Sequence, residues 1–547
     1  MREAAGTRNE EVKGPATAGS LFTSSFFMPQ SSLAKLVLLA GALVTIARLS
    51  LLGTGTMAFV DEYRYVTAML GLRALGEGHG LEFLQAINSM GARPGDGLWR
   101  AIPGLGQALL LLGFGLNPNA PPSLQVPQLF NVLIVSLNAL LIYRIYRQFF
   151  SFWFALLGIA AYSSLVNTNL YLRHLLPYDH ALFFFLLALW WLLSQSKRRV
   201  IGRYCGVGAL SGLSYAVYPG YFMGPAVLLA LGLLLAWGPQ APAGQPRPRV
   251  VGYAVAQLAG LLGVLGLFEV LARLSGTSYL ASSRYIATTV NQGSFEEGLS
   301  FTSTYFWQVE GWVGVGLLTL CGAGLVLSAR ELFRVLIRQA QGPERSESLP
   351  LFGLLIIVLS AWLGYVGLVL LAHKLVFYGR ILHFFVPFIV LGALVAVRAA
   401  ASLCQAGKRV LLVSGWVATC GHFITFVVAY RAVQYPCDVA YHYGIQDARQ
   451  IAGITTTGRD ENVIFYRVFG PRIRNQRTAA LPAYQLVNFA YLYPLSGYRP
   501  ASFKTERILV SVPYFLRYPP YRFEGHSPVQ RTLLQKYAYE FQIIKTD

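Results

Sequence analysis

Asp61 and Glu62, in the stretch Phe59-Val60-Asp61-Glu62-Tyr63-Arg64-Tyr65, fall within about ten residues of the end of the first long apolar segment. A charged side chain at membrane depth costs roughly 2.5 to 3.5 kcal/mol even on lenient insertion scales, so adjacent acids at such a place face a watery cavity and not lipid. The plainer alternative is that the pair opens the amphipathic stretch that follows, since acids are favoured in a helix's first turn. A second cluster is Arg173-His174-Leu175-Leu176-Pro177-Tyr178-Asp179-His180, and a third is His373-Lys374 followed by Phe377-Tyr378-Gly379-Arg380-Ile381-Leu382-His383 and Pro387. Tyr279, Arg284, Tyr285, Glu296 and Glu297 share a connection on the same expected side.

Acids and cations in this combination suit group transfer from a lipid phosphate. A carboxylate orients or deprotonates an acceptor hydroxyl, and cations stabilise the departing phosphate as its bond to an anomeric carbon breaks. Asp61 supplies the first, with Glu62 holding acceptor or metal. Arg380 and Lys374, with Arg173, supply the second, the arginines as planar forks and the lysine as a point charge. Tyr65, His174, His373, Tyr378 and His383 are further site candidates. Glu62, Asp179 and His180 could ligate a divalent ion, because oxygen and imidazole donors suit such ions. Each has a bland counterpart: Asp179 as a helix cap, Arg380 and Lys374 as basic residues that snorkel from span ends, and His422 as a hydrogen-bonded core residue.

The elements that must position these residues are membrane spans. The chain has 547 residues, 55% hydrophobic and 12% charged, with mean hydropathy +0.49, a composition that belongs to a polytopic α-helical membrane protein. The net charge of +20 does not indicate nucleic acid, because the basic residues are spread through short connections between apolar runs. Near a membrane surface each gains about 1 kcal/mol from anionic headgroups or a phosphate-bearing lipid. Cys205, Cys321, Cys404, Cys420 and Cys437 follow no CxxC spacing and read as core residues. Most of the 31 tyrosines and 34 phenylalanines read as interface belt and packing.

Residues 1–31 read as a flexible cytoplasmic tail without a cleavable leader. Residues 32–430 form the transmembrane module, with 53–125 as a long first outer loop. Val66, Met69, Leu70, Leu72 and Leu75 recur at helical spacing there and predict a helix lying in the interface plane. Apolar segments at 33–52, 126–143, 150–170, 180–194, 204–219, 221–237, 250–272, 311–328, 350–372, 381–398 and 410–429 give about eleven spans. The pair at 204–237 is separated only by Tyr218-Pro219-Gly220-Tyr221. Arg144 and Arg147, Lys197 to Arg203, Arg247 and Arg249, Arg330 to Arg338, and Arg398 to Arg409 occupy alternate connections. By the positive-inside rule those are cytoplasmic, which puts the N-terminus inside and the three clusters and the C-terminus outside. Residues 431–547 have mixed composition and predict a small α/β domain, with strands at Val463–Tyr466, Arg507–Val512 and Phe541–Ile544 and a helix from Ser527-Pro528 to about Tyr539.

Asp61-Glu62-Tyr63-Arg64-Tyr65, with Ala68-Met69-Leu70 behind it, resembles the first-loop pattern of the GT-C membrane glycosyltransferases, in particular the aminoarabinose-transferase and protein O-mannosyltransferase branches. Tyr378-Gly379-Arg380-Ile381-Leu382-His383-Phe384-Phe385-Val386-Pro387 resembles their late segment, and His373-Lys374 is similar to a pair in the related lipid-linked mannosyltransferases. Two departures stand out: Arg93-Pro94-Gly95-Asp96-Gly97-Leu98-Trp99 occupies the region of a Lys-Pro-Pro-Leu-type segment, and Ile381 stands where a Tyr usually follows the Arg. The resemblance implies a GT-C fold and inverting transfer of a sugar from a polyprenyl-phosphate carrier to a lipid, glycan or protein acceptor on the outer face, with Asp61 as base. Two alternatives remain: a polymerase or ligase of lipid-linked glycans, and a transporter or flippase, which predicts charges near the midplane and broken helices.

Overall fold

A computed structural model describes residues 30–52, 71–72, 74–89, 102–103, 125–194, 201–237, 248–292, 306–307, 309–341, 349–372, 379–403, 405–431, 454–456, 483–488, 508–513 and 540–546. The helices are α1 (Gln30–Ser50), α2 (Gly80–Ser89), α3 (Gln125–Tyr146), α4 (Phe152–Ser164), α5 (Val166–Leu170), α6 (Tyr178–Leu193), α7 (Ile201–Val217), α8 (Met223–Trp237), α9 (Pro248–Leu274), α10 (Tyr279–Gln292), α11 (Gly311–Gln341), α12 (Leu349–Ala372), α13 (Gly379–Leu403) and α14 (Gln405–Arg431). Every apolar segment expected from the sequence is helical, except that the one over 150–170 is broken into pieces. Seven stretches among the described residues are long and apolar enough to cross a bilayer, and the shorter apolar helices include Phe152–Ser164 and Tyr178–Leu193. The residues on either side of Tyr218-Pro219-Gly220-Tyr221 form two distinct helices joined through a 3-10 turn at Pro219–Tyr221.

The chain divides into two units, Met1–Ala47 and Arg48–Asp547. The first holds most of α1, with Leu39, Leu43 and Ile46 exposed as a lipid-facing stripe would be. In the second, α13 is the most enclosed of the candidate spans and α14 the least. The core runs through α3, α4, α6, α8, α12 and α13 and is filled by Leu, Val, Phe and Tyr. Two glycines set the spacing of α7 against α9. A Cβ on Gly208 would stand 1.9 Å from the Gln257 carbonyl oxygen, and one on Gly260 1.9 Å from that of Cys205, the close backbone approach that small residues allow between membrane helices.

The expected span over 150–170 is interrupted. α4 stops at Ser164, Leu165 is extended (φ −69°, ψ 141°), and the chain resumes as the five-residue α5 and a 3-10 turn at Tyr171–Arg173. Neither Pro nor Gly stands at the break, so its cause lies in partners that replace the lost backbone bonds. Within the first outer loop, residues 71–72 and 74–76 are helical, and α2 follows. Phe83 and Leu84 of α2 pack on Ala216, Phe268, Ala272 and Tyr279. Glu269 of α9 accepts from Arg273 Nε at 2.7 Å, Ser278 Oγ at 3.0 Å and the Leu280 amide at 2.9 Å. It closes the turn into α10.

In the C-terminal segment the described residues form a four-stranded sheet of order β1-β2-β4-β3, with β1 Ile454–Thr456, β2 Ala483–Asn488, β3 Ile508–Pro513 and β4 Glu540–Thr546. β1 runs parallel to β2, while β4 is antiparallel to β2 and to β3. Two expected strands correspond to β3 and β4; β1 and β2 were not foreseen. Val463–Tyr466 and the helix expected at 527–539 lie outside the described residues.

Candidate active site

A break in a helix inside a bilayer frees amides and carbonyls that no water can satisfy. Here both sets find side chains. On the carbonyl side, Asn169 Nδ2 donates to the Ser163 and Leu165 carbonyls, each at 2.8 Å. On the amide side, the Glu310 carboxylate accepts from Val166 N at 2.9 Å and Asn167 N at 3.0 Å. His422 of α14 holds the same carboxylate, Nε2 to Oε2 at 2.9 Å, as a hydrogen-bonded core histidine would. Gly311, at φ +57°, lets the chain turn into α11 immediately after Glu310, in backbone that a side-chain-bearing residue would strain.

The segment held in this way becomes a hub, because successive residues reach different helices. Asn167 Oδ1 meets His383 Nδ1 of α13 at 2.8 Å. Asn169 Oδ1 accepts from Arg48 Nε in the last turn of α1 at 2.9 Å, and Arg48 Nη2 has no hydrogen-bond partner among the described residues. The Leu170 carbonyl accepts from Tyr430 of α14 at 2.9 Å. Gln128 and Asn131 of α3 donate to the carbonyls of Arg173, at 3.1 Å, and His174, at 2.6 Å. Arg173 Nε donates to the Leu51 carbonyl at the end of α1, and its guanidinium lies over the Tyr430 ring, 4.5 Å from the centroid. The hub therefore gathers the ends of α1, α4 and α14 with the beginnings of α3, α6, α11 and α13.

Asp179 stands in the first turn of α6 without capping it: Pro177 is the N-cap residue, and no side chain caps the helix. Its Oδ1 lies 2.9 Å from His383 Nε2. Asn138 Nδ2 donates to the Asp179 carbonyl at 2.9 Å and reaches Oδ1 at 3.5 Å. His383 and Asn138 are fully buried and Asp179 is 4% exposed, so the acid keeps company with donors, the condition for burying a charge at tolerable cost. A belt of rings closes over the pair. Tyr171 meets His383 edge-on at 5.6 Å and Tyr178 at 4.8 Å, and Tyr178 continues to Tyr218 of the α7–α8 turn at 4.8 Å.

Of the residues singled out from sequence, the structure brings Arg173, His174, Asp179 and His383 into this hub, and sets His180 beside it, its ring 5.3 Å from that of Phe130. Arg380 lies in the first turn of α13, described by its backbone. Asp61, Glu62, Tyr65, His373, Lys374 and Tyr378 lie outside the described residues, as do Glu296 and Glu297. Among the described residues no group of three or more His, Cys, Asp or Glu side chains could hold a metal ion. Arg48, Asn138, Asn167, Asn169 and Glu310 were not singled out. The available signal was Asn167-Thr168-Asn169 inside an otherwise apolar run.

Helices of this length and composition, gathered at one end by a buried polar hub, define a polytopic α-helical membrane protein, and its fold is like that of a solved membrane protein. Among solved structures, the chain is similar to ArnT from Cupriavidus metallidurans in the apo state, at 12% identity over 84% of this chain and 93% of that one, with a TM-score of 0.50. ArnT from the same organism bound to undecaprenyl phosphate gives 13% identity, 84% and 94% coverage and a TM-score of 0.49. No protein-family model matches the sequence, and no curated protein does.

Proposed function

We propose that the protein is an inverting glycosyltransferase that moves a sugar from a polyprenyl-phosphate carrier to an acceptor at the hub end of the bundle. The observation that carries the reading is the convergence at that end. The root of the first loop, held through Arg48 and Leu51, the Arg173–His180 segment and the first turn of α13 meet on one scaffold although they are more than 100 residues apart in sequence. Asp61 then enters as general base from the loop rooted there, with Glu62 holding the acceptor. Arg380 and Lys374 meet the carrier phosphate. Arg173, whose Nε donates to the Leu51 carbonyl, supports the loop root.

The basic connections support an orientation with the hub end facing outward and the N-terminus inside, because Arg144, Arg147, Arg203, Arg330, Arg334, Lys408 and Arg409 all belong to the opposite helix ends. The acceptor would be chosen by the outer loops and residues 431–547. A polymerase or ligase of lipid-linked glycans would use the same cations without needing the acid pair.

The break at Leu165 favours a second reading, a transporter of lipid-linked sugars, because broken helices with open ends bind substrates in transporters. Against it, the open amides at α5 are occupied by Glu310 and the open carbonyls by Asn169. The two readings separate in membranes given a panel of radiolabelled polyprenyl-phosphate sugars. Consumption of one donor with label passing to an acceptor is expected; intact lipid-linked sugar crossing the bilayer without cleavage would overturn the proposal.

A further inference from the structure

The first turn of α13 is the part of that helix least held by its own backbone. Pro387 lies inside the helix and has no N–H, so the His383 carbonyl loses its intrahelical donor, and the proline ring crowds the same carbonyl. The direction of residues 379–383 therefore depends on contacts outside the helical ladder. His383 makes them at the weak point itself. It is fully buried, with Asn167 on Nδ1 at 2.8 Å, Asp179 on Nε2 at 2.9 Å and the Tyr171 ring perpendicular to it at 5.6 Å. On the far side of the weak point, the Tyr146 hydroxyl donates to the Pro387 carbonyl. Residue 380, three positions before His383, lies on the same helix face one turn closer to the bundle end.

We infer that His383 is a positioning residue: Asn167 and Asp179, gripping its two ring nitrogens, set the first turn of α13 and with it the place of Arg380 at the carrier phosphate. The inference rests on the reading of Arg380 given above. Both ring nitrogens have suitable partners in either charge state. An imidazolium donates to the Asp179 carboxylate and to the Asn167 oxygen. A neutral ring donates to Asp179 and accepts from Asn167 with its amide turned over. The clamp needs no proton to move.

The same contacts also explain why the clamp reaches beyond α13. Asn167 is the residue whose amide Glu310 holds, and Asn169, two residues on, holds Arg48 below the first loop. One short segment thus carries both the helix that presents the cation and the helix that leads to the acid. A displacement of about 1 Å at either would cost on the order of 10²-fold in a reaction that depends on orientation.

The test uses the full-length protein in nanodiscs and binding of radiolabelled undecaprenyl phosphate, counted per folded molecule, in wild type, His383→Ala, His383→Gln, Arg380→Ala, the His383→Ala/Arg380→Ala double variant and Leu231→Ala. Leu231 is fully buried in α8 away from the hub and controls for lost stability alone. Expected are a loss of about 10-fold or more in His383→Ala and a comparable or larger loss in Arg380→Ala. The double variant should be no weaker than Arg380→Ala alone, because residues acting through one another are not additive. His383→Gln, which can still donate and accept, should recover part of the binding and carries the test if His383→Ala does not fold. Leu231→Ala should bind as wild type does. Unchanged binding in both His383 variants, or losses that multiply in the double variant, would overturn the inference. Wild-type binding by Arg380→Ala would instead overturn the phosphate reading on which it rests.

Discussion

Asp61→Asn is expected to lower sugar transfer by about two to four orders of magnitude while leaving the donor KM near its wild-type value, the signature of a lost general base. Asparagine keeps the shape and one acceptor oxygen but cannot take a proton at neutral pH, so binding survives and chemistry does not. The expectation depends on a loop that starts from a fixed place. Arg48 and Leu51, the last anchored residues before it, are tied by Asn169 and Arg173 to the same segment that holds His383. If Asp61 merely opened the next helix, Asn would serve nearly as well, because the two are about equal as N-caps. Steady-state rates on a confirmed donor, at matched expression, separate the outcomes.

Glu310→Ala is expected to be the most destabilising single change in the hub. It removes the acceptor for two backbone amides of buried residues and for the part-buried His422. Each orphaned buried group costs about 1–3 kcal/mol, so the loss should be roughly 3 kcal/mol or more, and α5 should lose its register against α11. Glu310→Gln keeps one acceptor oxygen and should lie between wild type and Ala. The measurement is thermal unfolding in detergent followed by size-exclusion recovery. Ala and wild type melting together would mean that the helix break is held by something other than the carboxylate.

Much of the bundle was legible because hydropathy and length alone dictate membrane helices, and the alternating basic connections keep them in register. The break at Leu165 was not, since no Pro or Gly marks it and the carboxylate that takes its freed amides comes from more than 140 positions away. Asn167 and Asn169 were visible as polar residues in an apolar run, but which helices they join is a tertiary fact. Asp179 was expected to cap α6; it meets His383 of α13 instead, a pairing 204 residues apart that no local pattern announces. His422 forms the hydrogen bond expected of a core histidine, but nothing in the sequence pointed to Glu310 as its partner. In the C-terminal segment the β-rich runs at β3 and β4 were readable, while the three-residue β1 was too short to register as a pattern.

An inverting glycosyltransferase must release a sugar from its lipid phosphate with the anomeric centre inverted. The most direct measurement is to supply purified protein in proteoliposomes with the donor it consumes and an acceptor, then determine both lipid and sugar products by mass spectrometry and the anomeric configuration by NMR. One polyprenyl phosphate released per sugar transferred, with the anomeric centre inverted, is the predicted result. Retention of configuration, or intact polyprenyl-phosphate sugar recovered from the opposite leaflet with no free polyprenyl phosphate, would contradict it.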